Sequence, residues 1–268
     1  NKELCPLYLG RIIKGVTVGP SPMWLQRALI AAGQRPINNI VDVTNYVLLE
    51  TAHPLHAFDL QRLNGHKVVV RNAKHGETLR TIDDVVRTLQ PDMLVIADNQ
   101  EPIALAGVMG GSDSEVNHET VDVFLESAWF DPVSVRKTAR SLRMVTEASQ
   151  RFQRGADPEM AGFACERAAQ LLVEVSGGTV LQGKLKDAGA PFEKRKVTLH
   201  FERANQLLGM EVLPVQQRSY LEWLDFTITE QDDNTCTFEV PSWRHDVTLE
   251  ADLIEDIARL HGFAQVPV

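Results

Sequence analysis

Short β-type segments crowd the middle of the chain, and this grouping limits the possible folds more than any other feature of the sequence. The segments are rich in Val, Ile, Leu and Thr, are separated by Gly, Asp and Asn, and cover residues 67–71, 78–82, 85–89, 94–97, 103–108 and 123–128. A further β-type segment covers residues 8–18, and helical apolar spacing occurs at residues 21–33 and 39–49 and again from residues 131 and 157. Because strands and helices are grouped and do not alternate, the sequence predicts an α+β fold.

A mixed-charge segment at residues 183–196 predicts a domain boundary. It contains Gly189, Pro191 and a run of four charged residues at 193–196, a composition typical of linkers. Patterns for a strand, two helices, a hairpin and a closing helix follow at residues 197–201, 202–208, 214–224, 226–240 and 249–261. We therefore expect two domains, a mixed α/β domain at residues 1–190 and a small winged-helix-like α+β domain at residues 196–268.

The charge and cysteine content narrow the class of protein. A formal net charge of −9 argues against general nucleic-acid binding, because phosphate contacts need clustered Lys and Arg. The three cysteines are far apart and form no CxxC pair, which indicates reduced thiols and a cytoplasmic protein. No apolar stretch approaches the roughly 18 residues that a membrane span needs, so no membrane association is expected.

One local basic patch departs from the acidic average. Arg136, Arg140 and Arg143 recur at helical spacing, with Lys137 beside them and Arg151 and Arg154 close behind. The patch has two interpretations, a contact surface for RNA phosphates or a solvated helix face. Spacing alone does not decide between them.

Three segments of the first domain carry side chains or glycines that suit a binding site. His56 follows Pro54 in a segment where it could bind substrate or position water, although a lone histidine is also common as a structural residue. The glycines at 107, 110 and 111 indicate a tight turn that lets backbone approach a ligand. Glu126 interrupts an apolar strand, which favours either a ligand-reading carboxylate or a structural ion pair.

Carboxylates gather near the end of the chain. Asp252, Glu255 and Asp256 share one face of the closing helix, and Asp246 precedes it. Such oxygen ligands suit Mg²⁺, while the alternative is a solvated acidic face. The sequence contains no motif for a covalent nucleophile. If the chain is a hydrolase, it would position a water molecule for attack and would form no covalent intermediate.

Taken in order, these segments resemble the bacterial phenylalanyl-tRNA synthetase beta subunit. The segments that carry the resemblance are VDVTNYVLLE at 41–50, HPLHAFD at 53–59, GVMGG at 107–111, LESA at 125–128, RFQRG at 151–155, VPSWRHD at 240–246 and DLIEDIAR at 252–259. The resemblance covers essentially the whole chain and implies an internal fragment of that subunit.

The resemblance implies that residues 1–190 form a tRNA-editing domain that hydrolyses mis-charged tyrosyl-tRNA(Phe). Residues 196–268 would contact the alpha subunit of an alpha2beta2 heterotetramer, which carries out ATP-dependent aminoacylation as a phenylalanine–tRNA ligase. The expected partners are the alpha subunit, tRNA(Phe) and the tyrosyl ester. The alternative is a non-catalytic scaffold that docks the alpha subunit and tRNA.

The resemblance also implies residue roles. It assigns catalysis to His56, Arg35 and Thr146, and substrate binding to Glu126, Gly110 and Ala148. Thr146 and Ala148 would shape the pocket floor, and Glu126 with a backbone N–H near Gly110 would recognise the tyrosine hydroxyl. It assigns Mg²⁺, shared with the alpha subunit, to Asp246, Asp252, Glu255 and Asp256, while ATP would bind only at the alpha-subunit active site. Asp256 stands where the family usually has Glu.

Overall fold

The chain folds into two units that divide between Pro191 and Phe192. The computed structural model describes residues 1–265, so the last three residues of the predicted second domain lie outside the described part. Both units combine helices with antiparallel sheets, and the predicted α+β class is confirmed. Among the described residues, no helix is long and apolar enough to span a membrane.

The first unit contains strands β1 to β11 and helices α1 to α5. The strands are β1 (Leu7–Lys14), β2 (Leu55–Asp59), β3 (Val69–Asn72), β4 (Thr78–Arg80), β5 (Val86–Thr88), β6 (Leu94–Ala97), β7 (Pro102–Leu105), β8 (Met109–Gly110), β9 (Asp122–Trp129), β10 (Thr179–Val180) and β11 (Leu185–Ala188). The helices are α1 (Met23–Ala31), α2 (Asn39–Thr51), α3 (Pro132–Ser141), α4 (Glu147–Phe152) and α5 (Met160–Ser176). Short 3-10 turns lie at Leu60–Arg62, Asn64–His66 and Ser112–Ser114.

A five-stranded antiparallel sheet, the main sheet, organises the first unit. Its path is β10-β1-β9-β2, and β11 also pairs with β1. The β1–β9 and β2–β9 registers place Gly10 and His56 directly opposite Glu126, one on each side of it. Because side chains directly across neighbouring strands point to the same face, the register brings His56 and Glu126 together.

The two faces of the main sheet pack against different partners. One face, with Ile13, Ala57 and Leu125, packs with α2 and α5 into one hydrophobic core. The other face, with Phe58 and Phe124, joins a second core that includes residues of a four-stranded sheet of order β3-β6-β7-β8. Strand alternation therefore directs Glu126, two residues after Phe124, toward this second core.

Local signals explain where several elements begin. Asn38 caps α2, because its side chain accepts hydrogen bonds from the backbone N–H groups of Ile40 and Val41. The helical pattern predicted from residue 131 is confirmed: Pro132 is the first residue of α3, and Asp131 caps the helix because its carboxylate accepts from the N–H of Ser134.

Several sequence-based boundaries need correction. The predicted strand at 8–18 ends at Lys14, since Gly15 turns the backbone with φ +74°, and the strand predicted at 103–108 ends at Leu105 before the Gly107 turn. The segment 185–188, predicted to be linker, is a strand that pairs with β1. Arg143 lies beyond the end of α3 in a left-handed conformation, so the three arginines do not share one helix face.

The second unit is small. It contains β12 (Lys196–His200), β13 (Thr227–Gln231), β14 (Thr235–Glu239), α6 (Phe201–Leu208), α7 (Pro214–Glu222), α8 (Glu250–His261) and a 3-10 turn at Phe263–Gln265. The sheet order is β12-β14-β13, and the three helices pack with it around one core that includes Phe238, Leu253 and Ile257. Three helices and a hairpin extended by one strand fit the predicted winged-helix-like pattern.

Candidate functional site

A cavity of about 320 Å³ opens in the first unit beside the main sheet. Its lining comes from α2, β2, β9, the turn and strand around β8, and the start of α4. It includes five of the residues predicted to form a site, namely His56, Gly110, Glu126, Thr146 and Ala148. Arg35 is exposed and is not part of the lining, although Ile37 from the same loop is. The fold thus gathers in one place motifs that are far apart in sequence.

Glu126 is the only residue of this predicted set that could carry a negative charge. It is 6% exposed, and in the described part of the chain no Lys or Arg pairs with it. Among residues 1–265 its one side-chain hydrogen-bond partner is Tyr8, whose hydroxyl donates to Oε2 at 2.6 Å. Burial raises the pKa of Glu126 to about 7, and the Tyr8 hydrogen bond opposes that rise. The structural ion pair considered for Glu126 is therefore absent among residues 1–265.

His56 lies across the strand pair from Glu126 and is neutral at physiological pH. Burial lowers its pKa to about 4. Its ring meets Phe58 edge to face, with centroids 4.4 Å apart, and its buried Nε2 has no hydrogen-bond partner among residues 1–265. An unpaired buried nitrogen at a cavity is available to a ligand or a water molecule.

Gly110 allows the backbone to approach this imidazole. A Cβ at Gly110 would lie 2.6 Å from His56 Cε1 and 2.8 Å from Nε2, closer than any side chain tolerates. The carbonyl of Gly110 accepts from the N–H of Ile82, which fixes this strand against the neighbouring loop. Glycine is needed here because the backbone packs directly against the His56 ring, while the predicted approach of this backbone to a ligand stays a prediction.

Thr146 and Ala148 form the part of the wall contributed by α4. Thr146 caps the helix: its hydroxyl accepts from the N–H of Ser149 at 3.0 Å and donates to the carbonyl of Val108 at 2.8 Å. The hydroxyl proton is therefore used to tie α4 to the glycine turn. Ala148 is small and partly buried against the core, so it leaves space in the cavity.

Tyr8 and Asn45 are two of the polar residues at the site that reasoning from the sequence missed. Tyr8 contacts Glu126 from 118 residues away, and Asn45 on α2 contributes an amide to the lining. Tyr8 stands at the start of a predicted strand, but only the β1–β9 register reveals that it reaches Glu126. Asn45 stands one residue after Thr44 in the helical pattern, where an amide gives no distinctive signal.

The acidic cluster of the second unit is arranged differently. A cavity of about 490 Å³ is lined by Arg244, Asp246, Asp252, Glu255, Asp256 and Arg259. Arg244 Nη2 lies 2.7 Å from Asp246 Oδ2 and 2.8 Å from Asp256 Oδ2, and Arg259 also pairs with Asp256. Asp256 is only 4% exposed, so it does not belong to a solvated acidic face.

The remaining carboxylates of this cluster do not complete a metal site. Asp252 Oδ2 accepts from the backbone N–H groups of Thr248 and Leu249, which caps α8. Across residues 1–265, no group of three or more His, Cys, Asp or Glu is placed to hold a metal ion. With Arg244 between two of the carboxylates, the donor set as folded does not fit Mg²⁺, which requires free oxygens in octahedral geometry. The Mg²⁺ assignment stays a prediction.

The basic patch borders a second cavity of the first unit, which shares no lining residue with the first cavity. Arg136, Arg140 and Arg143 line a surface cavity of about 450 Å³ together with Ser149 of α4 and Gln153, which follows that helix. In the described part of the chain none of these three arginines forms an ion pair, whereas Arg151 pairs with Glu147 at 2.6 Å. Unpaired arginines on an exposed surface are free to bind anions.

Comparisons with known proteins identify both units. Residues 4–177 match the B3/4 domain, and residues 197–263 match the tRNA synthetase B5 domain. The phenylalanine–tRNA ligase beta subunit of Halalkalibacterium halodurans is 50% identical over 99% of this chain and 33% of its own length. That of Carboxydothermus hydrogenoformans is 49% identical over 100% of this chain and 33% of its own length.

The chain therefore spans about a third of the length of the curated relatives it matches. An N-terminal fragment of the phenylalanyl-tRNA synthetase beta subunit from Pyrococcus horikoshii is similar in structure, with a TM-score of 0.44 and 12% identity over 97% of this chain and 72% of that one.

Proposed function

Since this chain belongs to the B3/4 domain family found in phenylalanine–tRNA ligase beta subunits, we propose that its first unit hydrolyses tyrosine wrongly esterified to tRNA(Phe). The observation that carries the proposal is Glu126, a desolvated carboxylate that faces a cavity and has no cationic partner in residues 1–265. The cavity volume of about 320 Å³ lies at the lower end of the range usual for small-molecule sites.

Glu126 supplies the discrimination. The phenol of tyrosine donates a hydrogen bond to the carboxylate, while phenylalanine has no donor and leaves the buried oxygens without a partner. A site built around a hydroxyl rejects the analogue that lacks it far better than an apolar pocket rejects an added group. The correct product, phenylalanyl-tRNA, is thereby spared.

Water is the nucleophile in this proposal. The Thr146 hydroxyl proton is already donated to Val108, and burial raises the pKa of Cys5 to about 12. Water attacks the ester carbonyl, the bond to the ribose oxygen breaks, and tyrosine and tRNA leave. His56 orients this water by accepting a hydrogen bond at its unpaired Nε2. It does not act as the general base, because an imidazole with a pKa of about 4 is a weak base at neutral pH.

Thr146 and Arg35 have different roles in the proposed reaction. Thr146 holds the wall of the cavity through the cap of α4, so we assign it a positioning role. Arg35 is exposed on the loop that brings Ile37 to the cavity, where a guanidinium would meet the tRNA end. Its catalytic assignment depends on the resemblance alone.

The remaining partners follow from the family. Homologues of this chain are ligase beta subunits, and we propose the alpha subunit and tRNA(Phe) as partners within a cytoplasmic alpha2beta2 assembly. ATP and Mg²⁺ would serve aminoacylation at the alpha subunit. The alternative function is a scaffold that docks the alpha subunit and tRNA without hydrolysing the ester.

Single-turnover deacylation by the complete ligase tests the proposal. Glu126→Ala should slow hydrolysis of tyrosyl-tRNA(Phe) by a factor of about 10 to 150 and leave phenylalanyl-tRNA(Phe) nearly unchanged. Glu126→Gln should be milder, because an amide oxygen still accepts the bond. Glu119→Gln, on an exposed loop, is the matched control and should change neither rate.

Three outcomes would contradict the proposal. Equal loss on both esters would mean that Glu126 acts on water or on the ester. Loss of the tyrosine preference in Glu115→Gln but not in the Glu126 variants would transfer recognition to that second cavity-lining carboxylate. Absence of any deacylation by the wild-type ligase would favour the scaffold.

A further inference from the structure

Tyr8 reaches the recognition carboxylate from outside the cavity. Its hydroxyl donates to Glu126 Oε2 at 2.6 Å, yet Tyr8 is not one of the residues that line the cavity. Glu126 lines it and is nine-tenths buried. One oxygen of the carboxylate is therefore held by the protein, on the side that the substrate does not occupy.

The position of the Tyr8 ring is set by packing. The ring stacks on Phe124 with centroids 6.5 Å apart and an angle of 18° between planes, and Phe124 stacks in turn on Phe58 at 6.2 Å. Gly10 provides the room, because a Cβ there would lie 2.4 Å from Phe124 Cε2. Such stacking fixes the ring, so the hydroxyl meets Glu126 without a further loss of side-chain freedom.

We propose that Tyr8 is the positioning residue for tyrosine recognition: by holding Oε2 of Glu126, it presents Oε1 to the phenol of the substrate. The inference rests on the proposed editing function and adds a residue to it. A carboxylate can accept several hydrogen bonds, so the two phenols, one from the protein and one from the substrate, bind the same group from opposite sides. Tyr8 thus fixes the orientation of the Glu126 carboxylate before the substrate binds.

The charge state of the surrounding groups supports this role. Burial and the nearby Glu126 raise the pKa of Tyr8 well above its ordinary value, so its hydroxyl remains a donor. From β2, His56 is neutral because burial lowers its pKa to about 4, and from the N-terminal segment Cys5 is neutral because burial raises its pKa to about 12. The Tyr8 hydrogen bond is thus the main interaction that favours the ionised form of Glu126.

Two further acidic groups line the same cavity, Glu115 and Glu147. Burial raises the pKa of Glu115, while Glu147 is engaged by Arg151 at 2.6 Å. Neither adds a positive charge that could replace the Tyr8 hydrogen bond. Removal of the Tyr8 hydroxyl should therefore let burial raise the pKa of Glu126 further, and recognition of the substrate phenol should require a higher pH.

The test is the pH profile of tyrosyl-tRNA(Phe) deacylation by the complete ligase carrying Tyr8→Phe, with the uncatalysed rate subtracted. Loss of one hydrogen bond to a charged group should move the midpoint upward by about 1–2 pH units. At pH 7 the rate should fall by about 5- to 50-fold and recover at higher pH, while phenylalanyl-tRNA(Phe) deacylation stays unchanged. Tyr46→Phe, which removes a hydroxyl from α2, is the matched control and should leave the profile in place.

Two more measurements keep a positioning role separate from a structural one. In a Glu126→Gln background, Tyr8→Phe should no longer move the profile, because no carboxyl group is left to titrate there. Carbon-13 NMR titration of labelled glutamate in the 268-residue chain, with the Glu126 signal assigned from Glu126→Gln, should give a higher pKa in Tyr8→Phe even if the ligase proves inactive in editing. An unmoved midpoint in both measurements, or a pH-independent loss on both esters, would overturn the proposal.

Discussion

Glu126 in the first unit and Asp256 in the second are both buried carboxylates, at 6% and 4% exposure, and they have opposite surroundings. Asp256 sits between the guanidinium groups of Arg244 and Arg259. Glu126 has a neutral hydroxyl beside it and a cavity in front of it. The protein alone therefore satisfies the carboxylate of Asp256. The similarly buried carboxylate of Glu126 can still accept a hydrogen bond from a ligand.

The arginines of the acidic cluster and of the basic patch differ in the same way, although other arginines of the first unit, such as Arg71 and Arg167, do form ion pairs. In the second unit, Arg244 and Arg259 are used by carboxylates, whereas Arg136, Arg140 and Arg143 of the first unit form no ion pair within residues 1–265. A desolvated charge without a partner destabilises a fold, and such groups concentrate at functional sites. A closed ion-pair network is by contrast a common structural feature. The difference favours the first cavity as the site of chemistry and makes the acidic cluster part of the framework of α8.

The largest effect should come from removing Asp256 from its ion pairs with Arg244 and Arg259. Asp256→Ala leaves Arg244 partly buried without one of its two carboxylates, and loss of a buried ion-pair partner costs about 3–5 kcal/mol of unfolding free energy. Asp246→Ala removes the other carboxylate, whose side chain is 66% exposed, and should cost about 1 kcal/mol or less. Urea denaturation, with hydrogen exchange used to assign the transition to α8, measures both. Similar small losses in the two variants would mean that the buried Asp256 contributes no more to stability than the exposed Asp246.

The pH dependence of stability should have opposite signs in the two units. Glu126 keeps its proton in the folded state up to about pH 7, whereas in the unfolded chain it ionises near its ordinary pKa of 4.5. Between these values the folded state binds more protons, so stability falls as pH rises, by roughly 3 kcal/mol in total. Asp246 has a pKa lowered by its hydrogen bond to Arg244, so its contribution is present above its ordinary pKa and is lost as pH falls.

Glu126→Gln isolates the first of these two terms. Its stability relative to wild type should rise between pH 4.5 and pH 7 and level off above that range, in urea denaturation of the 268-residue chain. Asp246→Asn should differ from wild type in the opposite sense, with its deficit shrinking as the pH is lowered. A flat difference for Glu126→Gln across this range would mean that Glu126 is ionised throughout and that its burial is less complete than the structure indicates.

Local patterns in the sequence predicted much of the framework. Asp131 and Pro132 marked the start of α3, and the periodic apolar residues located α2 and α5, because caps and periodicity depend on neighbours along the chain. Glu126 was recognisable as a candidate because burying a charged side chain in an apolar strand is costly unless it has a partner. Each of these predictions used information that lies within a few residues.

What escaped prediction depends on contacts between distant segments. The strand at 185–188 forms by pairing with β1 across more than 170 residues, and its own composition resembles a linker. The Tyr8–Glu126 hydrogen bond requires the β1–β9 register, which no local pattern specifies. Asp256 was expected on a polar helix face, but it is buried and pairs with Arg244 and Arg259.

The smallest effect is expected from the three arginines of the basic patch, whose substitution tests whether they help tRNA to bind at the first cavity. If the RNA chain reaches the cavity across this patch, the triple variant Arg136→Gln, Arg140→Gln and Arg143→Gln should bind tRNA(Phe) about tenfold more weakly, equivalent to about 1.4 kcal/mol. The slope of log affinity against log salt should fall by about 2–3, because each lost phosphate contact removes slightly less than one unit. Hydrolysis of a tyrosyl ester of adenosine, which lacks the RNA chain, should be unchanged.

The control removes equal charge elsewhere on the first unit, at Lys67, Lys74 and Arg80, which are exposed and form no ion pair within the described residues. If both triple variants lose the same salt dependence, the effect is one of overall charge on a chain whose net charge is already −9. If only the patch variant loses it, the arginines without carboxylate partners are those that meet the phosphates. Charged groups without ion-pair partners would then bind the substrate at two places in the first unit: the buried carboxylate of Glu126 binds the amino acid, and the exposed guanidinium groups of the patch bind the RNA. In the acidic cluster of the second unit, carboxylates and guanidinium groups instead pair with each other and stabilise the fold.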